Sequence, residues 1–164
     1  MASLRRAMML RDGDIILIRA RWWLRWLCKY DHAALLYSRN PRLDGEARRW
    51  YTIESGFSGV RDWPFPQARA YDIVRPLCMP NVAYDAISAA MTWRGQPYAA
   101  WHLPAIFWRM MQSKAQRVEV RRARVCTELV RDAYKSAGLD ITPGVNRPTP
   151  DDIAGSKRVV EVIQ

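Results

Sequence analysis

Apolar and polar positions fall in short blocks along this chain, and each block predicts an element. Gly13-Asp14 is a turn signal, and Ile15-Ile16-Leu17-Ile18 behind it is a β-branched apolar run short enough for a buried strand. Asp31-His32 opens a second strand through Ala33-Ala34-Leu35-Leu36-Tyr37. Residues 50–54 read as a third strand, ended by Ser55-Gly56. Its alternation puts Glu54 on the face of Thr52 and Trp50, with Tyr51 and Ile53 opposite. Residues 71–77 form a fourth strand and residues 159–163 close the chain as another. The segments 38–48 and 59–66, with Asn40-Pro41, Asp44-Gly45 and Pro64-Phe65-Pro66, read as loop and connection.

Two stretches carry helical periodicity. Ala83, Ala86, Ile87, Ala90 and Met91 recur at helical spacing, with Asn81 as the expected cap and Gly95-Gln96-Pro97-Tyr98 as the end. A second helix begins at Cys126, where Leu129, Val130, Ala133, Tyr134 and Ala137 share one face and Gly138 supplies the stop. Thr149-Pro150-Asp151-Asp152 predicts a short capped helical turn. The aromatic stretch 101–111 matches no single period.

Composition places these elements in one domain spanning residues 1–164. About half of the 164 residues are hydrophobic and 26% are charged, the balance of a globular chain that can bury a core. There is no internal repeat, low-complexity tract or linker. The formal charge of +10 disfavours cationic partners and favours nucleic acid, phospholipid headgroups or other anionic substrates. The three cysteines are an odd number without CxxC spacing, which predicts a reducing compartment. With only two histidines they offer no zinc pattern, so no metal or cofactor is expected. The N-terminal apolar stretch is too short for a signal peptide, and no window of eighteen apolar residues occurs. The expected location is the cytoplasm, with a peripheral association at a membrane as an extension.

Three residues carry candidate chemistry. Cys126 stands where a basic segment turns into a helix, so unpaired amides and the helix dipole would favour its thiolate and could hold an oxyanion. A buried structural cysteine is the plainer expectation from position alone. His32, at the polar mouth of an apolar strand, can serve as a general base. His102 lies in an aromatic stretch and reads as a packing residue. Glu54 could orient His32 if their strands are neighbours; taken alone it is an ordinary surface charge.

The order His, Glu, Cys comes with further motifs: His32-Ala33-Ala34-Leu35-Leu36-Tyr37, Ile53-Glu54-Ser55-Gly56, Gly59-Val60, Gly95-Gln96-Pro97-Tyr98 and Val125-Cys126-Thr127-Glu128-Leu129-Val130. The set resembles the permuted NlpC/P60 cysteine peptidases, most closely the YiiX/YebB-type branch related to the lecithin:retinol acyltransferase-like group. Gly13-Asp14-Ile15-Ile16-Leu17 and Thr149-Pro150-Asp151-Asp152-Ile153 extend the likeness over nearly the whole chain. The resemblance implies an α+β, circularly permuted papain-like fold, with a small antiparallel sheet or barrel packed against the helix bearing Cys126. It implies a cysteine hydrolase or acyltransferase acting through an acyl-enzyme on a cell-wall peptide or an acyl lipid. Cys126 would attack, His32 would move protons, Glu54 would orient His32, and Tyr98 would line the cleft. The chain departs from the family pattern at Ala99, where an acidic residue is common, and at Thr127, where serine is common.

Residues 19–30 interleave Trp22, Trp23 and Trp26 with Arg21, Arg25 and Lys29. Such a segment suits a membrane interface or a substrate-binding rim, and could stack nucleic-acid bases. Packing of the rings into the core is the simpler expectation. The basic run 117–124 reads as a solvated face. The alternative to an enzyme is a non-catalytic basic module that binds anionic membrane or nucleic acid.

Overall fold

The computed structural model describes residues 10–39, 49–56, 58–65, 69–97 and 125–162. Six strands form one sheet: β1 (Ile15–Arg19), β2 (Tyr30–Arg39), β3 (Arg49–Gly56), β4 (Gly59–Pro64), β5 (Tyr71–Pro76) and β6 (Val159–Glu161). Their spatial order is β4-β3-β2-β1-β5-β6, and every neighbouring pair is antiparallel. Three helices complete the described α+β fold: α1 (Pro80–Thr92), α2 (Cys126–Ser136) and α3 (Pro150–Ala154).

The register explains the continuous apolar runs of the central strands. Val74, Ile15, Leu35 and Ile53 lie side by side in one row across β5, β1, β2 and β3. They face the main core, where Ala86 and Ala90 of α1 and Leu129, Val130, Ala133 and Tyr134 of α2 pack against them. The next row, Ile73, Ile16 and Ala34, faces the other side and belongs to a second apolar cluster with Ile18, Leu36 and Val162. A strand buried on both faces needs apolar residues at successive positions, and Ile15 to Ile18 are all at most 3% exposed. Each such side chain contributes about 1.5–3 kcal/mol by leaving water.

Local chemistry sets the helix ends. The cap of α1 is Met79, not Asn81: Pro80 takes the first helical position, where its fixed φ and missing N–H cost nothing, so Asn81 falls inside the first turn. At α3 the expected cap holds. Asp152 N–H donates to Thr149 Oγ1 at 3.2 Å, and Thr149 N–H donates back to Asp152 Oδ2 at 2.7 Å. Helix α2 stops at Gly138, whose φ of +87° suits glycine. Leu139 N–H then closes onto the Tyr134 carbonyl.

One strand escapes the sequence reading. Residues 59–64 were expected in a connection, yet they pair with β3 from Gly56↔Gly59 to Tyr51↔Pro64. This is an edge strand, where the proline at the end is tolerated and Arg61 and Trp63 are exposed.

Candidate active site

β2 and β3 carry the two polar members of the site. Their antiparallel pairing runs from Leu35↔Ile53 to Arg39↔Arg49, so Glu54 and His32 project from adjacent strands. Glu54 Oε2 lies 2.7 Å from His32 Nε2. The side chains of His32 and Glu54 are 20% and 12% exposed. The expectation that Glu54 reaches His32 holds.

The third member arrives on α2. Cys126 opens this helix, and Val125 before it is extended, so the chain turns abruptly into the helix at the cysteine. Leu129, Val130, Ala133 and Tyr134, all fully buried, fix the helix against the sheet. Cys126 is buried, and the His32 ring is the charged group that acts most strongly on its thiol. With Glu54 on Nε2, the ring nitrogen left for the sulfur is Nδ1.

Electrostatics separates this cysteine from the others. Burial by itself would push the Cys126 thiol up. The His32 charge, the hydrogen bond from its ring and the backbone N–H groups of Ala33 and Thr127 overcome burial and hold the thiol below its ordinary value. His32 shows the converse. Burial would lower it, but the charge and hydrogen bond of Cys126, then the hydrogen bond and charge of Glu54, push it up to about 10. The two shifts run in opposite directions, and both favour the ionised pair of thiolate and imidazolium. Cys28 and Cys78, by contrast, are pushed up, chiefly by burial. Cys126 and Cys28 are buried and Cys78 is half-buried, so burial alone does not distinguish Cys126; the downward shift does.

Thr127 N–H, an amide of the α2 N-terminus, is among the groups that favour the thiolate, as the start of a helix at Cys126 implies. Ala33 N–H is a further donor, which acts on the thiol only because α2 packs against β2. No sequence signal marks that donor.

The remaining expectations divide. Trp22, Trp23 and Trp26 are 81%, 51% and 76% exposed, which overturns their packing into the core. They sit on the β1–β2 connection, which ends three residues before His32. Tyr98, His102, the stretch 101–111 and the basic run 117–124 lie outside the described residues. Among the described residues no helix is long and apolar enough to cross a membrane, and no group of three or more His, Cys, Asp or Glu side chains could hold a metal ion.

No protein-family model matches the chain, and no curated protein matches it.

Proposed function

We infer that the protein is a cysteine hydrolase or acyltransferase of permuted papain-like, NlpC/P60 type. Cys126 is its nucleophile, His32 its acid and base, and Glu54 the group that orients His32. The observation that carries this reading is the His32 ring, held by Glu54 at 2.7 Å and pushed up to about 10, together with a thiol at a helix N-terminus that this ring pulls down. The motif order along the sequence supports it as well.

The proton ledger starts from the ion pair. The Cys126 thiolate attacks a carbonyl carbon and forms a C–S bond, and the carbonyl electron pair becomes an oxyanion. First-turn amides of α2 without intrahelical acceptors are donors for that oxyanion. As the oxyanion collapses, the bond to the leaving group breaks, and His32 gives it the proton. A thioester then joins the acyl group to Cys126. Neutral His32 takes a proton from water, or from another acceptor, as this attacks the thioester. Thiolate leaves and the ion pair is restored. The acyl group comes from an amide of a peptide, or from an ester, thioester or amide of a lipid.

Trapping tests this reading. The protein is mixed with acyl nitrophenyl esters, quenched in acid and analysed by peptide mass. The acyl mass is expected on Cys126, formed at least a hundredfold more slowly in His32→Ala. Equal rates of nitrophenol release by the native protein and Cys126→Ala would overturn it. Adding an amine acceptor then divides hydrolase from transferase.

A further inference from the structure

We propose that the β1–β2 connection is a membrane-docking element that seats the His32 end of the sheet on an anionic phospholipid surface. Trp22, Trp23 and Trp26 stand out from a short 3-10 turn at Trp22–Leu24 and the residues after it. Three neighbouring tryptophans left in water are an unusual expense for a chain able to bury them, and such patches mark interaction sites. None of the described cation–π pairs uses these rings.

The turn is built to hold the rings out. Ala20 N–H donates to the Lys29 carbonyl at 2.9 Å and closes its base. Leu27 and Cys28 N–H both donate to the Leu24 carbonyl. Arg19 lies 2.7 Å from Asp72, which also accepts the Tyr30 hydroxyl at 2.5 Å. Lys29 N–H donates to Asp151 at 3.1 Å, and Arg69 pairs with Asp31 at 2.6 Å. Trp26 Nε1–H donates to the Trp23 carbonyl at 2.8 Å, so this indole enters a headgroup layer with its polar group already satisfied.

Charge names the occupant. Arg21, Arg25 and Lys29 alternate with the rings and are exposed, and Arg21 and Arg25 form no ion pair among the described residues. Rings at headgroup depth with cations against lipid phosphate is the arrangement of an anionic bilayer interface. Side chains exposed at 81% and 76% stand clear of the protein surface, as insertion among headgroups requires.

Docking does not rest on the acyl-enzyme reading, and the test keeps the two apart. The full chain is sedimented with vesicles of phosphatidylcholine, with and without about one third phosphatidylserine, at low salt and at about 0.5 M salt. Binding is expected only with phosphatidylserine, weakened by salt, and unchanged in Cys126→Ser. Trp22→Ala/Trp26→Ala should bind at least tenfold more weakly with an unchanged thermal midpoint. Arg21→Glu/Arg25→Glu, which leaves the rings in place, should lose binding to the same degree. Native-like binding by either double variant overturns the proposal. So does a native protein that ignores the vesicles and retains an oligonucleotide instead.

Discussion

The Glu54 carboxylate meets the His32 ring at 2.7 Å across the β2–β3 pair, although twenty-two residues separate them in sequence. Antiparallel pairing fixes that contact before any helix is added. Glu54 takes Nε2, so the ring can turn only its other nitrogen to Cys126. The carboxylate thereby selects the ring's orientation and helps retain its proton.

Glu54→Gln keeps the size of the side chain and removes its charge. His32 should lose part of its upward shift, and each pKa unit lost is about a tenfold change in the protonated fraction above the pKa. The pH profile of Cys126 alkylation is expected to lose its His32 step near pH 10 and show it at lower pH instead. His32→Ala removes the proton carrier itself and should lower turnover by about 10²–10⁴. Steady-state rates and alkylation rates check both variants.

The ion pair also shapes stability against pH. His32 is raised from 6.5 to about 10, so its contribution is complete below pH 6.5 and fades as pH rises through about 10. The Cys126 thiol is lowered from 9.0, so its contribution is complete above pH 9 and fades as pH falls through the lowered folded value. Between these limits the two slopes oppose one another, since His32 gains a proton on folding and Cys126 loses one. The stability of the native protein minus that of Cys126→Ala should therefore decline at high pH, as pH rises through about 10, and at low pH, as it falls through the lowered thiol value. Urea midpoints at a series of pH values measure it.

A second buried ion pair lies away from the site. Asp14, 1% exposed, accepts two bonds from Arg75, at 2.7 and 2.8 Å, and one from the Arg11 N–H. Arg75→Leu would strand that carboxylate. Removal of one partner from such a pair costs about 3–5 kcal/mol, which denaturant unfolding would show.

Gly13 sets the approach of the β1 entry to the helices. Its φ is +90°, and a Cβ added there would come within 2.5 Å of the Ala83 Cβ and 2.7 Å of the Tyr134 hydroxyl. The same hydroxyl donates to the Gly13 carbonyl. Gly13→Ala should destabilise by at least about 2 kcal/mol, seen as a thermal midpoint several degrees lower.

What the sequence could reveal followed period and punctuation. The run Ile15 to Ile18, the alternation around Glu54 and the helical spacing after Cys126 each mark their element, and these elements bring the three site residues together. The edge strand β4 was hidden because Gly59 and Pro64 bound a run with little apolar alternation. Pro80 displaced Asn81 as the helix start through backbone geometry, which side-chain preference does not capture. The exposure of Trp22, Trp23 and Trp26 was illegible for another reason. Tryptophan in a chain of this hydrophobicity predicts burial, and only the tertiary placement of the turn shows the rings outside. The Ala33 N–H at the sulfur likewise exists only once α2 docks on β2.

The thiolate–imidazolium pair is tested most directly by the pH profile of iodoacetamide modification at Cys126, followed by peptide mass with Cys28 and Cys78 as internal references. Rapid labelling of Cys126 that persists below pH 7, with the other two reacting only at alkaline pH, is the predicted result. A Cys126 profile that rises through pH 8.5–9 like a free thiol, unchanged in His32→Ala, would contradict the account.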